Sequence, residues 1–189
     1  MDQALEIISV LFGLGYLYFM VKENVICWIF GIINSLLSIA LFISVGLYSE
    51  SILYVFYVGI GFYGLILWTR KDTSGKEITI TQNKGWHNVL LIGVGILGAF
   101  GLGRFFSHYT DADSPYMDAT TTSFSFIASF LEAHKILSSW IYWILINGTT
   151  LYLYSSKGLL YYTGLTFVYT VFSVAGLIAW RKKYFAFKS

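Results

Sequence analysis

The chain has 189 residues, of which 57% are hydrophobic, 20% aromatic and only 12% charged. Soluble domains carry about 25% charged residues, so this chain has too few to cover a water-exposed surface of its size. Its mean hydropathy of +0.68 excludes a disordered chain. One cysteine and a net charge of +2 exclude a disulfide scaffold and a nucleic-acid binder. The composition predicts an all-α membrane protein.

Seven apolar runs follow one another, and a helix needs roughly 20 such residues to cross a bilayer. In chain order they lie near residues 4–21, 25–45, 52–69, 87–106, 119–137, 140–155 and 159–180. The first run lacks a positive segment before it, so it is not predicted to be a cleaved signal peptide. Asp118 stands just before the fifth run and is predicted to cap that helix.

The basic residues are distributed unevenly among the loops between these runs. With seven spans, one side of the membrane receives ten Lys and Arg residues and the other receives only two, Arg104 and Lys157. Because basic loops stay in the cytoplasm, we expect the C-terminus inside and the N-terminus outside. An even number of spans would remove this asymmetry, so the charge distribution favours seven.

The sequence matches itself without gaps when it is shifted by 112 residues. The shift aligns Trp28 with Trp140, Trp68 with Trp180, Gly46 with Gly158, Tyr57 with Tyr169 and Gly64 with Gly176. Spans one to three are therefore predicted to be repeated as spans five to seven, with the fourth span as a linker. One linker helix lets both triplets run in the same direction, which is the parallel-repeat, SWEET-like 3+1+3 architecture of some transporters.

This architecture predicts three segments. Residues 1–69 form the first three-helix repeat, and residues 70–106 form a cytoplasmic loop and the linker helix. Residues 107–189 contain an extracellular loop, the second repeat and a basic cytoplasmic tail.

Polar side chains inside a bilayer are costly unless they face a cavity or a partner, so they are candidate site residues. Ser129 and Glu132 share one face of the fifth span, and Trp140, Trp143 and Asn147 share one face of the sixth. A tight turn joins these antiparallel spans, which places Glu132 near the level of Trp143 and Ser129 near Asn147. A carboxylate beside indole rings suits a cationic aromatic ligand, and an amide can orient it.

Structural alternatives exist for these residues. Trp140 would serve equally well as an interfacial belt residue, and Glu132 could pair with His134 or Lys135 near the inner surface. The second span offers Trp28 as a counterpart of Trp140.

Asn34, also on the second span, is as suited to bond a neighbouring helix as to bind a ligand. The three histidines show no metal-ligand spacing, so no metal is expected. Phosphate-binding and hydrolase motifs are absent from the sequence, which predicts neither a cofactor nor an enzyme.

Several stretches together resemble the PnuC family of vitamin transporters. They are residues 118–126, Lys135, the run Trp140-Ile-Tyr-Trp143-Ile-Leu-Ile-Asn147, Lys157-Gly158-Leu159, Gly46-Leu47-Tyr48 and the closing Gly-x-x-x-Trp of both repeats. The most specific element is Trp140-x-x-Trp143-x-x-x-Asn147, and the resemblance covers nearly the whole chain.

The resemblance implies a homotrimer in the bacterial inner (plasma) membrane with one substrate path in each protomer. It also implies that a small vitamin, which the carboxylate and the indoles predict to be cationic, enters the cell by facilitated diffusion and that a cytoplasmic kinase phosphorylates and so traps it. The ligand site of the family carries over to Trp140, Trp143 and Asn147.

The substrate is predicted from a departure from the family pattern. Many nicotinamide riboside members have a glutamine on the helix before the tryptophan pair, where this chain offers Ser129 and Glu132. A carboxylate can bind the aminopyrimidine edge of thiamine and neutralise its thiazolium charge, which favours a thiamine-type member. Nicotinamide riboside is the alternative and riboflavin the third candidate. A non-transporting membrane scaffold subunit is the hypothesis from a different class.

Overall fold

The computed structural model describes residues 3–44, 48–71, 75, 77–110, 114–156, 158 and 160–187. Within these ranges the chain forms seven helices: α1 (Gln3–Val21), α2 (Ile26–Ser44), α3 (Tyr48–Thr69), α4 (Gly85–Tyr109), α5 (Pro115–Ala133), α6 (Ser139–Ser156) and α7 (Leu160–Ala186). They coincide with the seven apolar runs, so the prediction of an all-helical fold is confirmed. Gly46, Leu47, Lys157 and Leu159, which contribute to the family resemblance, lie outside the described residues.

Three of the described helices contain stretches long and apolar enough to cross a membrane: Ile26–Ser44, Gly85–Tyr109 and Tyr162–Ala186. The stretches Leu5–Val21 and Leu53–Thr69 are apolar but shorter. α5 and α6 carry more polar side chains, and their crossing of the membrane stays a prediction.

The fifth helix begins earlier than the sequence analysis predicts. Pro115 occupies its start and Ser114 precedes it as the N-cap residue. Proline suits this position because its fixed φ is helical and its missing N–H has no helical partner to lose. Asp118 therefore lies inside the first turn, and the prediction that it caps the helix is wrong.

The chain divides into two compact units, Met1–Thr79 and Ile80–Ser189. In the first unit, α2 contacts both α1 and α3. Trp28 is 2% exposed, lies against Gly64 and meets Trp68 edge to face, with ring centroids 5.5 Å apart. A Cβ at Gly64 would overlap the indole ring, so the glycine permits this approach of α2 and α3.

In the second unit, α4 contacts α5, α5 contacts α6 and α6 contacts α7. The helix interpreted as a linker thus packs with the second triplet, and Ser123 of α5 donates a hydrogen bond to the Gly95 carbonyl of α4 at 3.0 Å. Trp140 has no exposed surface. It lies against Gly176 and meets Trp180 edge to face at 5.4 Å, the same arrangement as the indole pair of the first unit.

The α1–α2 and α5–α6 turns share one backbone geometry. Glu23 (φ 60°) and Lys135 (φ 52°) both adopt the left-handed conformation. Each donates its N–H to the carbonyl three residues earlier, and the next residue donates to the carbonyl five residues before it. This pair of bonds is the Schellman motif, which closes a helix C-terminus. The two turns are separated by the same 112 residues at which the sequence matches itself.

The segment before α4 is attached to the α5–α6 turn. Thr81 donates its N–H to the Lys135 carbonyl at 3.0 Å, and its own carbonyl accepts a bond from the Leu137 N–H at 2.8 Å. Because α4 starts at Gly85, these bonds bring its N-terminus close to the start of α6.

Candidate functional site

Glu132 and Trp143 meet across the α5–α6 hairpin, as the sequence analysis predicts. The indole Nε1 of Trp143 donates a hydrogen bond to Oε2 of Glu132 at 3.3 Å. Glu132 is 1% exposed, whereas Trp143 is half-buried. A carboxylate removed from solvent needs hydrogen-bonding partners, so this bond orients both side chains. The result is a buried carboxyl group held beside a partly accessible indole.

The same face of α5 continues away from the turn through small hydroxyl side chains. Ser129 and Ser125 are 4% and 6% exposed and share a helix face with Glu132 because of their spacing. Their burial fits the polar stripe expected from the sequence. The proximity of Ser129 to Asn147 stays a prediction.

Asn147 is held by α7. Its Nδ2 donates a hydrogen bond to Ser173 Oγ at 3.1 Å, and the Ser173 hydroxyl donates in turn to the Tyr169 carbonyl at 2.9 Å. Ser173 is 1% exposed and is not among the site residues predicted from the sequence. In the 112-residue register it aligns with Gly61, so the repeat offered no polar counterpart. A serine inside an apolar span was the available signal.

Trp140 is more buried than the sequence predicts. Its complete burial makes the belt alternative wrong, because belt residues are exposed at the membrane interface. Among the described residues its Nε1 has no hydrogen-bond partner, so a buried donor remains on this helix. The part of Trp140 in ligand binding stays a prediction.

The first unit holds the two remaining predicted residues. Trp28 is buried, and its Nε1 also finds no acceptor in the described part of the chain. Asn34 accepts a hydrogen bond on Oδ1 from Ser9 of α1 at 3.0 Å, and the hydroxyls of Ser9 and Ser38 are 3.1 Å apart. The side-chain carbonyl oxygen of Asn34 is therefore bonded to a neighbouring helix.

Carboxylate, indole and amide groups in this arrangement are suited to recognising a flat cation with a hydrogen-bonding edge. The described residues contain no group of three or more His, Cys, Asp or Glu side chains that could hold a metal ion.

The family model described as nicotinamide mononucleotide transporter matches residues 3–182. The chain belongs to this family. The nicotinamide riboside transporter PnuC of Escherichia coli (strain K12) is 21% identical over 193 residues, which cover 87% of this chain and 81% of the relative. The protein of the same name from Shigella flexneri matches with the same figures.

A solved structure, described as the crystal structure of the vitamin B3 transporter PnuC, has the same fold. It superposes with a TM-score of 0.78 at 22% identity, covering 96% of this chain and 82% of that chain.

Membership of the PnuC family confirms the resemblance that the tryptophan pair and asparagine indicate. The relatives are transporters, so the prediction that this chain is not an enzyme is also confirmed. The chain is a membrane transporter of the PnuC type. Both relatives are named for nicotinamide riboside, which was the alternative substrate in the sequence analysis.

Proposed function

We propose that this PnuC-family protein moves nicotinamide riboside across a bacterial inner membrane by facilitated diffusion. The observation that carries the proposal is the bond between Trp143 and Glu132, in a chain whose relatives are named nicotinamide riboside transporters. The substrate is a pyridinium cation that bears a carboxamide. Its ring can stack on the indole near the carboxylate, and its carboxamide can exchange hydrogen bonds with Asn147.

Thiamine is the second candidate, and Glu132 is the residue that favours it. From the sequence, this carboxylate is expected to bind the aminopyrimidine edge of thiamine. In the structure, however, Oε2 accepts the indole N–H of Trp143, so orienting that ring is one task of the carboxylate. This arrangement and the names of the relatives support nicotinamide riboside as the first candidate.

For the architecture, we propose a duplicated helix triplet, α1–α3 and α5–α7, in parallel orientation with α4 as the linker. The matching Schellman turns and the matching indole pairs support it. Parallel triplets require seven crossings, with the N-terminus outside and the C-terminus in the cytoplasm. A reporter active only in the cytoplasm should work when fused to the C-terminus and fail at the N-terminus; the reverse result would contradict this topology.

The remaining partners follow from the family resemblance. We propose a homotrimer with one substrate path in each protomer, and a cytoplasmic kinase that phosphorylates the imported vitamin. Such trapping lets a transporter without an energy source accumulate its substrate, because the phosphorylated product no longer equilibrates through the path.

The test combines calorimetry on purified protein with uptake into proteoliposomes. Nicotinamide riboside should bind and enter, and Trp143→Phe should weaken its binding by about tenfold, since indole is the strongest cation-binding ring. Trp86→Phe is the matched control because Trp86 is 60% exposed at the start of α4. Thiamine and riboflavin are measured in parallel.

Three outcomes would change the assignment. Preference for thiamine would reverse the ranking of the two substrates. Equal nicotinamide riboside affinity in Trp143→Phe and the wild type would mean that the indole is not part of the binding site. Absence of binding and uptake with all three vitamins would contradict transport and favour the non-transporting scaffold subunit.

A further inference from the structure

A lateral groove lies between α4, α5 and α6 of the second unit, with a volume of about 410 Å³. None of the predicted substrate-binding residues lines it. Its apolar lining includes Ile92, Phe124 and Leu145. Ile92 and Leu145 are 44% and 66% exposed, so the groove opens sideways. In a membrane protein, an outward-facing apolar groove of this kind meets lipid.

One end of the groove contains buried polar groups. Asn88, Ser138 and Tyr142 are among its lining residues, and within the described chain Asn88 Oδ1, Ser138 Oγ and the Tyr142 hydroxyl have no hydrogen-bond partner. Ser138 and Tyr142 are each 7% exposed, and Tyr142 is held in place by stacking on Phe124 with ring centroids 6.2 Å apart. Buried hydroxyls without partners are costly, so these groups point to a ligand that bonds them.

Positive charge lies at the same end. Lys84 immediately precedes α4, and Asn88 stands four residues after it, near the start of the helix. The N-terminus of α4 adds the positive end of the helix dipole and its N–H donors, which bind anions such as phosphate. The bonds of Thr81 to the α5–α6 turn bring this helix start close to Ser138.

We propose that the groove binds an anionic phospholipid of the phosphatidylglycerol type. Its phosphate lies at the start of α4 near Lys84, and the headgroup hydroxyl donates to Asn88. Ser138 and Tyr142 donate to the ester oxygens, and one acyl chain follows Ile92, Phe124 and Leu145. In the orientation proposed above, this end faces the cytoplasm, where basic pockets between helices bind anionic headgroups. The site does not depend on the identity of the transported vitamin.

The experiment measures lipid binding by native mass spectrometry and thermal unfolding of delipidated protein in detergent. Dioleoylphosphatidylglycerol should bind the wild type and raise its Tm more than dioleoylphosphatidylcholine. The Ser138→Ala, Tyr142→Phe double variant should bind phosphatidylglycerol at least about tenfold more weakly. Without lipid it should unfold no lower than the wild type, because it loses two hydroxyls that have no partner in the described structure.

Two further variants sharpen the result. The Tyr152→Phe, Ser156→Ala double variant makes the same chemical changes at exposed positions at the other end of α6 and should bind like the wild type. Lys84→Gln should reduce the preference for phosphatidylglycerol over phosphatidylcholine by about fivefold.

Equal phosphatidylglycerol affinity in the Ser138, Tyr142 variant and the wild type would overturn the proposal. Tight binding of phosphatidylcholine would overturn it too, because the headgroup charge would then play no part. If the Ser138, Tyr142 variant instead binds lipid like the wild type but forms particles with a different number of chains, the groove would be assigned to contact with a second copy of this protein.

Discussion

Replacing Glu132 with glutamine removes the negative charge of the candidate site while preserving its shape. The amide oxygen of glutamine can still accept the Trp143 indole N–H, which is 3.3 Å from Glu132 Oε2. A cationic ring stacked on that indole lies within about 6 Å of the ring centre, so roughly 8 Å separates the two charges. At an effective dielectric constant of about 20, their attraction is about 2 kcal/mol. We therefore expect Glu132→Gln to weaken nicotinamide riboside binding by about thirtyfold.

Calorimetry of the purified variant checks this value, and a neutral ligand separates charge from shape. The reduced, dihydropyridine form of nicotinamide riboside has the same outline without the positive charge, so its affinity should change little. Glu6→Gln is the matched control because Glu6 is the other acidic residue inside a predicted span. It should leave both affinities unchanged.

Two results would refute this reasoning. If the folded Glu132→Gln protein binds the cation as tightly as the wild type, the carboxylate does not contribute to recognition. If both forms of the ligand lose affinity equally, Glu132 acts only by positioning Trp143.

Two further predictions concern the contacts of α6 with α7. Gly176→Ala places a Cβ about 2.5 Å from the Trp140 ring, and such overpacking costs about 1–3 kcal/mol, so the Tm should fall. Gly164→Ala is the control because the space around Gly164 is open, and it should leave the Tm unchanged or slightly higher. Ser173→Ala removes the partner of Asn147 and should weaken nicotinamide riboside binding by about fivefold. The combined variant with Asn147→Ala should bind no more weakly than Asn147→Ala alone, and additive losses would contradict the coupling.

The sequence was sufficient for the helices and for one contact of the site. Apolar runs of membrane length determine where helices form, and the short turn after α5 fixes the level at which Glu132 meets Trp143. The predicted start of α5 is wrong because Asp118 has the chemistry of an N-cap residue, whereas the helix begins four residues earlier, at Pro115 after the N-cap residue Ser114.

Other features depend on how helices rotate about their axes, which a regular apolar composition does not specify. From the sequence, Trp140 fits an exposed belt position as well as a ligand-binding one, and in the structure it lies buried against Gly176. Ser173 became visible only through its bond to Asn147. The groove at Tyr142 forms only when three helices have packed together, so no sequence motif predicts it.

In the α5–α6 hairpin, Schellman bonds at Lys135 close the C-terminus of α5, and the side-chain bond between Glu132 and Trp143 joins the two helices. The closed turn and the bond across it keep the two helices in register near the turn. We therefore expect Glu132 and Trp143 to move together in any rearrangement that exposes a solute to the opposite compartment. A cation bound as proposed above would keep its contacts with both side chains during the passage, and the neighbouring surfaces would be displaced.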